Sequence, residues 1–274
     1  MNEELSMQLK AIYDFSIQCT IPIIVEPFEN KVRKAGIIGT GTLFKFFDNY
    51  YLITAHHVLK DMYAYKKHIG IPSTFINSDI LTLGTSKYHF PSTKQQQDIY
   101  DIGIIQLDPE LSSKLKYRFL TFENIMSFQG KHNAYICGFP QSFSNYSEKN
   151  EQIISKPFCF MTRTLQHSDF TNIDRKSKHH IYLKYSNTIF ADGTKETISP
   201  KVDELKGISG CTIWNYNEDN NGIWTAEKSL KVLGVQFAVN ISQRYIIGLS
   251  WNIIAQAFSQ IDKSISKKLI SCMQ

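Results

Sequence analysis

The hydrophobic pattern of this chain has a helical period at its two ends and a strand texture between them. Over residues 3 to 16, Leu5, Leu9, Ile12 and Phe15 recur at roughly helical spacing, with Met7 off that face, which predicts a short amphipathic helix. From Cys19 the texture changes. Thr20-Ile21-Pro22-Ile23-Ile24-Val25, Ile37 to Phe47, Tyr50 to Thr54 and Ile80 to Leu83 are short β-branched or aromatic runs, the signature of strands. Asp48-Asn49 separates two of them and reads as a hairpin turn. Residues 112 to 131 read as a crossover. The strand texture then returns at Ala134 to Cys137, Phe158 to Arg163, His180 to Tyr185, Cys211 to Tyr216 and Lys231 to Val239. From Leu249 to Ile265 the period lengthens again, with Trp251, Ile254, Ala257, Phe258, Ile261 and Ile265 on one helical face. Many short strands and a terminal helix predict an all-β protein built as barrels or a sandwich.

Composition narrows the class. A chain of 274 residues can bury a sizeable core, as one large domain or two small ones. Met1 to Ser6 is acidic and lacks an apolar run, unlike a secretory signal, and no segment has the unbroken apolar length of a membrane span. The five cysteines, Cys19, Cys137, Cys159, Cys211 and Cys272, are odd in number and scattered. A reduced, cytoplasmic setting is therefore expected rather than a disulfide framework. The net charge of +5 is modest, and the densest charged cluster, Asp174 to His180, is short and carries an acid. It reads as a solvated loop, and no nucleic-acid partner is expected.

Three segments carry candidate chemistry. Gly207-Ile208-Ser209-Gly210 places a serine between glycines; Tyr51 to Val58 is an apolar run ending in His56 and His57; Asp101 heads the run Ile102 to Leu107. A hydroxyl becomes a good nucleophile at neutral pH when an imidazole takes its proton, and that imidazole needs a carboxylate to fix its tautomer. A lone G-x-S-G is common, and its bland reading is a turn serine. Asp98 and Asp108 compete with Asp101, but only Asp101 immediately precedes a small residue and an apolar run. The paired histidines also invite a zinc site, yet no third ligand sits at a recognisable spacing, so no metal is expected.

These residues resemble the trypsin/chymotrypsin-like serine peptidases, especially their bacterial branch. Gly39-Thr40-Gly41-Thr42-Leu43-Phe44 resembles the glycine-rich strand before the histidine, and Thr54-Ala55-His56-His57-Val58 the T-A-x-H-V element. Asp101-Ile102-Gly103-Ile104-Ile105 is similar to the D-x-A element with glycine for alanine. Ile136 to Pro140 resembles the G-x-P turn, and Leu233-Gly234-Val235 the strand after the nucleophile. The resemblance implies two six-stranded β-barrels with the site in the cleft between them. The expected organisation is an N-terminal helix over residues 1–18, a first barrel over 19–125 with His57 and Asp101, a second over 132–248 with Ser209, and a C-terminal helix over 249–274.

It also implies roles. Ser209 is the expected nucleophile, His57 the general base and Asp101 its orienting acid, with the Gly207 and Ser209 N–H groups forming an oxyanion hole. Strand alternation would send His56 and His57 to opposite faces, leaving His56 as packing or surface. Asp203 stands six residues before Ser209, where trypsin-like members keep the acid that selects basic side chains; a solvent-facing acid is the competing reading. Ile208 replaces the aspartate that pairs with a newly cut N-terminus, and Phe237 stands near a usual small hydroxyl residue. Expected is therefore a serine endopeptidase acting through an acyl-enzyme on a protein or peptide, without cofactor. It would be controlled by loop equilibrium or an activating partner rather than by N-terminal processing. The alternatives are a pseudoprotease that keeps the barrel as a peptide-binding scaffold, and a serine esterase on the same site.

Overall fold

The computed structural model describes residues 3–25, 36–60, 69–75, 79–90, 100–147, 152–166, 179–185, 188–190, 197–198, 205–216 and 224–274. Helix α1 (Glu3–Ile17) opens the chain. It buries Leu9, Ile12 and Phe15 and leaves Met7 exposed, the face its spacing predicts. The first half then folds as one antiparallel sheet of β1 (Thr20–Val25), β2 (Gly36–Phe46), β3 (Asn49–Thr54), β4 (Ile69–Pro72), β5 (Ile80–Thr82), β6 (Lys87–His89) and β7 (Gly103–Gln106), in the order β5-β4-β1-β2-β3-β7-β6. β5 and β6 form opposite edges, yet only residues 83 to 86 connect them. A flat sheet of this width would separate its edges by about 29 Å, well beyond the reach of about 17 Å that such a connection has. The sheet must therefore curl, and its seam is crossed by chain rather than by a ladder of hydrogen bonds.

The second half closes. Strands β8 (Asn133–Gly138), β11 (Phe158–Leu165), β12 (His180–Lys184), β15 (Thr212–Tyr216), β16 (Leu230–Asn240) and β17 (Tyr245–Ser250) pair in the ring β12-β17-β16-β15-β8-β11, and the β11–β12 pairing joins its ends. β13 (Thr188–Phe190) and β14 (Thr197–Ile198) extend from β11, and β9 (Ser144–Ser147) pairs with β10 (Gln152–Ser155) apart from the ring. Closure removes the unpaired edges that invite aggregation. Of the two barrels expected, then, one is a closed six-stranded ring and the other a partly open sheet of seven strands.

Alternation along the strands divides most of the core among three clusters, beside a small fourth of Ile24, Ile37 and Phe139. Leu43, Leu52 and Ile105 fill the first half with Ile21, Ile23 and Leu59. Ile136, Phe160, Ile181 and Ile213 fill the second. Residues one step along the same strands, Phe44, Tyr51, Ile53, Tyr135 and Trp214, face a third cluster shared with Trp251, Ile254 and Phe258. A strand sends successive side chains to opposite faces, so an unbroken apolar run here serves two cores at once. The seam is aromatic: Trp251 meets Phe44 edge-on at 5.1 Å between ring centroids, and Phe258 meets Phe46 at 5.4 Å.

Three local expectations shift. The β2–β3 hairpin turns at Phe47-Asp48, because Phe46 pairs with Asn49 and Phe47 takes a positive φ of 54°. Helix begins at Trp251 rather than Leu249, which still belongs to β17. The helical terminus is also two helices, Trp251–Phe258 and Lys263–Cys272. Asp262 divides them, its carboxylate accepting from the backbone N–H groups of Ser264 and Ile265, which starts a new helix where the apolar period alone runs on.

Candidate active site

The histidine is positioned by a short helix, not by a strand. β3 ends at Thr54, and the chain turns directly into α2 (His56–Lys60). Two glycines make room for that turn. A Cβ on Gly39 would lie 2.3 Å from Val58 Cγ1, and one on Gly103 would lie 2.7 Å from Leu59 Cδ1. The glycine in the aspartate element is thus a socket for Leu59. His56 and His57 are separated by helical rotation rather than by strand alternation, which corrects the expected geometry. The His56 ring packs edge-on against Phe90 at 4.8 Å, and its pKa is lowered, chiefly by burial.

Sheet register brings Asp101 to His57. Thr54, the last residue of β3, pairs with Gly103, the first of β7, so the chain leaving one strand passes the chain entering the other. Asp101 uses both carboxylate oxygens on His57: Oδ1 accepts from the backbone N–H at 2.9 Å, and Oδ2 lies 2.6 Å from Nδ1. An ionised carboxylate only accepts, so this contact favours the tautomer of a neutral imidazole with its proton on Nδ1 and Nε2 as acceptor. The His57 side chain is 46% exposed and Asp101 only 18%, so the imidazole is the more open member of the pair. Asp108 is engaged elsewhere, capping the helix Pro109–Lys114 through the Glu110 N–H. Asp98 lies outside the described residues.

The serine sits on a turn wedged between the halves. Gly207 and Gly210 both have positive φ, 96° and 93°, a conformation that side chains rarely adopt. Space excludes side chains as well: a Cβ on Gly210 would lie 2.0 Å from Thr40 O and 2.1 Å from Thr54 Oγ1. Ser209 therefore adjoins the strand that leads to His57. Ile208 is fully buried among Leu205, Cys211 and Ile213, an apolar peg where an acid would need a charged partner. Among the described residues, neither the N–H groups of Gly207 and Ser209 nor Ser209 Oγ has a hydrogen-bond partner. The structure thus brings His57 and Asp101 together and sets the turn that carries Ser209 against Thr40 and Thr54. Asp203 lies outside the described residues.

Cys211 is buried, which holds its thiol well above the usual range and fits packing rather than nucleophilic chemistry. Phe237 falls at an irregularity in the β16–β17 pairing between Gln236 and Ala238 and packs edge-on against His180 at 5.3 Å. In the sequence Thr40 and Thr54 read only as strand residues within motifs. Both are fully buried, and Thr54 Oγ1 donates to Thr40 O at 2.7 Å.

No family model matches the sequence, and no curated protein matches it. Solved structures do. The chain is similar to neuropsin, a serine protease expressed in the limbic system of mouse brain, with a TM-score of 0.51 at 13% identity over 92% of this chain and 96% of that one. It is similar also to the scabies mite inactivated protease paralogue S-I1, with a TM-score of 0.51 at 12% identity over 93% and 96% of the two chains. At such identities the likeness concerns the fold: this is the chymotrypsin-like fold of the trypsin-like serine proteases. Among the described residues, no helix is long and apolar enough to cross a membrane.

Proposed function

We propose that this protein is a serine endopeptidase in which Ser209 attacks the scissile carbonyl, His57 Nε2 takes the hydroxyl proton and Asp101 holds the imidazole. The observation that carries the reading is the double hydrogen bond from His57, backbone and ring, to the two oxygens of Asp101. A carboxylate so placed sets the tautomer whose free nitrogen can act as a base. The Gly207 and Ser209 N–H groups would receive the oxyanion, and among the described residues neither has a hydrogen-bond partner. Apo sites often hold their catalytic hydrogen bonds long, and they tighten with substrate, so an unengaged Ser209 hydroxyl fits a resting enzyme. The substrate is a protein or peptide, and Asp203 would favour a basic side chain before the scissile bond. The chain acts in a reducing, cytoplasmic setting, as its free cysteines suggest.

A second reading, a peptide-binding pseudoprotease, draws on that same unengaged hydroxyl and on bulky Phe237. One experiment separates the two: a fluorophosphonate probe labels Ser209 of a peptidase and leaves a pseudoprotease untouched. Absence of labelling on the wild-type protein, with and without peptide substrate, would overturn the first reading.

A further inference from the structure

We propose that Thr40 is a positioning residue that holds the oxyanion-forming loop in its open, donor-ready shape, an inference that rests on the serine-peptidase reading above. A trans peptide points its C=O and N–H in opposite directions, so fixing a carbonyl aims the N–H of the following residue. All four carbonyls from Lys206 to Ser209 are fixed. Lys206 O accepts from the Gln141 N–H at 2.8 Å, and Ile208 O accepts from the Cys211 N–H at 2.9 Å. These two bonds turn the Gly207 and Ser209 N–H groups away from the protein's own acceptors. Thr40 holds the two planes between and after them: its Oγ1 donates to Gly207 O at 3.0 Å and its backbone N–H donates to Ser209 O at 2.8 Å.

Thr40 has no spare polar atom. Its Oγ1 also accepts from the Phe139 N–H at 2.9 Å, and its carbonyl accepts from Thr54 Oγ1 at 2.7 Å. One fully buried residue, through its hydroxyl and its backbone together, therefore ties the strand leading to His57, the turn at Phe139 and two alternate peptides of the Ser209 loop. The first half of the molecule sets the geometry of a loop that belongs to the second. Thr40 bonds the two peptides that alternate with the donor peptides, so it acts on the aim of the Gly207 and Ser209 N–H groups by holding their neighbours in place. Misaimed donors cost transition-state stabilisation and leave substrate binding largely alone.

The test compares Thr40→Val, which keeps the shape and loses the hydroxyl, with Thr40→Ser, which keeps the hydroxyl. Three readings are taken: kcat and KM on a cleaved peptide, the rate of fluorophosphonate labelling at Ser209, and amide exchange of the peptide spanning residues 205–211. In Thr40→Val, kcat and labelling should fall about 10- to 100-fold, part of the cost of losing an oxyanion donor, with KM little changed and faster exchange in the loop. Thr40→Ser should recover most of the rate. If Thr40→Val does not fold, Thr40→Ala set against Thr40→Ser makes the same comparison. Wild-type rates in Thr40→Val, or equal loss in Thr40→Ser, overturn the proposal. If the wild-type protein itself is never labelled, the peptidase reading fails and loop exchange alone judges Thr40: unchanged exchange in Thr40→Val overturns the clamp.

Discussion

The His57–Asp101 pair, proposed as acid and base, and the Ser209 loop, proposed to carry the nucleophile, are built on opposite plans. His57 and Asp101 are placed by regular structure: a helical turn seated on Gly39 and Gly103, and a strand register that pairs Thr54 with Gly103. Both residues come from one half, and the bonds between them need nothing from the other. The Ser209 loop has no regular structure. It is a chain of positive-φ turns whose shape depends on Thr40 from the first half and on Gln236 from the second, whose carbonyl accepts from the Gly210 N–H at 2.8 Å. The contrast assigns the two parts different stabilities. The acid–base pair shares the stability of the β3–β7 ladder, while the loop responds to the fit between the halves. A loop of that kind is the natural seat of control, because a ligand bridging the halves shifts its population toward the formed state.

The largest effects should come from the chemistry itself. Ser209→Ala and His57→Ala should each lower kcat about a millionfold, and the double variant should lose no more than either alone, because groups acting as one unit fail together. Steady-state kinetics on a cleaved peptide measures this, and additive losses would show that the two do not act in one step. Asp101→Asn should cost about 10⁴-fold by favouring the wrong tautomer. Asp108→Asn should leave the rate unchanged, its carboxylate being spent on a helix cap.

The comparison is broken more selectively at Gly210. A methyl there would meet Thr40 O and Thr54 Oγ1 at 2.0 and 2.1 Å, on a backbone with φ of 93°. Gly210→Ala should therefore abolish fluorophosphonate labelling while leaving the His57–Asp101 pair intact. The downfield Nδ1 proton resonance of His57 would report the pair. Loss of that resonance together with labelling would mean that the two plans are not independent.

How far the sequence reveals this site follows from the same contrast. His57 and Asp101 are legible because their motifs are local, each a run of a few residues ending a strand or beginning one. Even there the mechanism of placement was hidden: nothing in Thr54-Ala55-His56-His57 says that the strand gives way to a helix after Thr54. Thr40 is opaque for a different reason. Its hydroxyl partners, Phe139 and Gly207, lie 99 and 167 residues away, and a threonine between two glycines reads equally well as an ordinary strand residue. The break before Lys263 was masked by Ile261 and Ile265, which keep the helical period across a cap that Asp262 supplies. The open seam of the first sheet depends on which short strands pair, and local texture is silent on pairing.

The smallest expected effect concerns His56, and it sharpens the boundary of the acid–base pair. Burial lowers the pKa of His56, and the charges of His57 and Lys60 add to that, while Asp101 opposes it. The folded protein therefore binds a proton at His56 less readily than the unfolded chain, whose imidazole titrates at about 6.5. Between the lowered value and 6.5 the unfolded state holds more protons, so stability rises with pH across that window and falls as acid is added. His56→Phe keeps a ring against Phe90 and removes the titration. Its melting temperature should depend less steeply on pH below about 6.5 than the wild-type protein's, while kcat at neutral pH stays within about twofold, a surface-scale change. Parallel pH–melting curves for the two proteins would mean that His56 is solvated in the folded state. A large loss of kcat would move the base from His57 to His56.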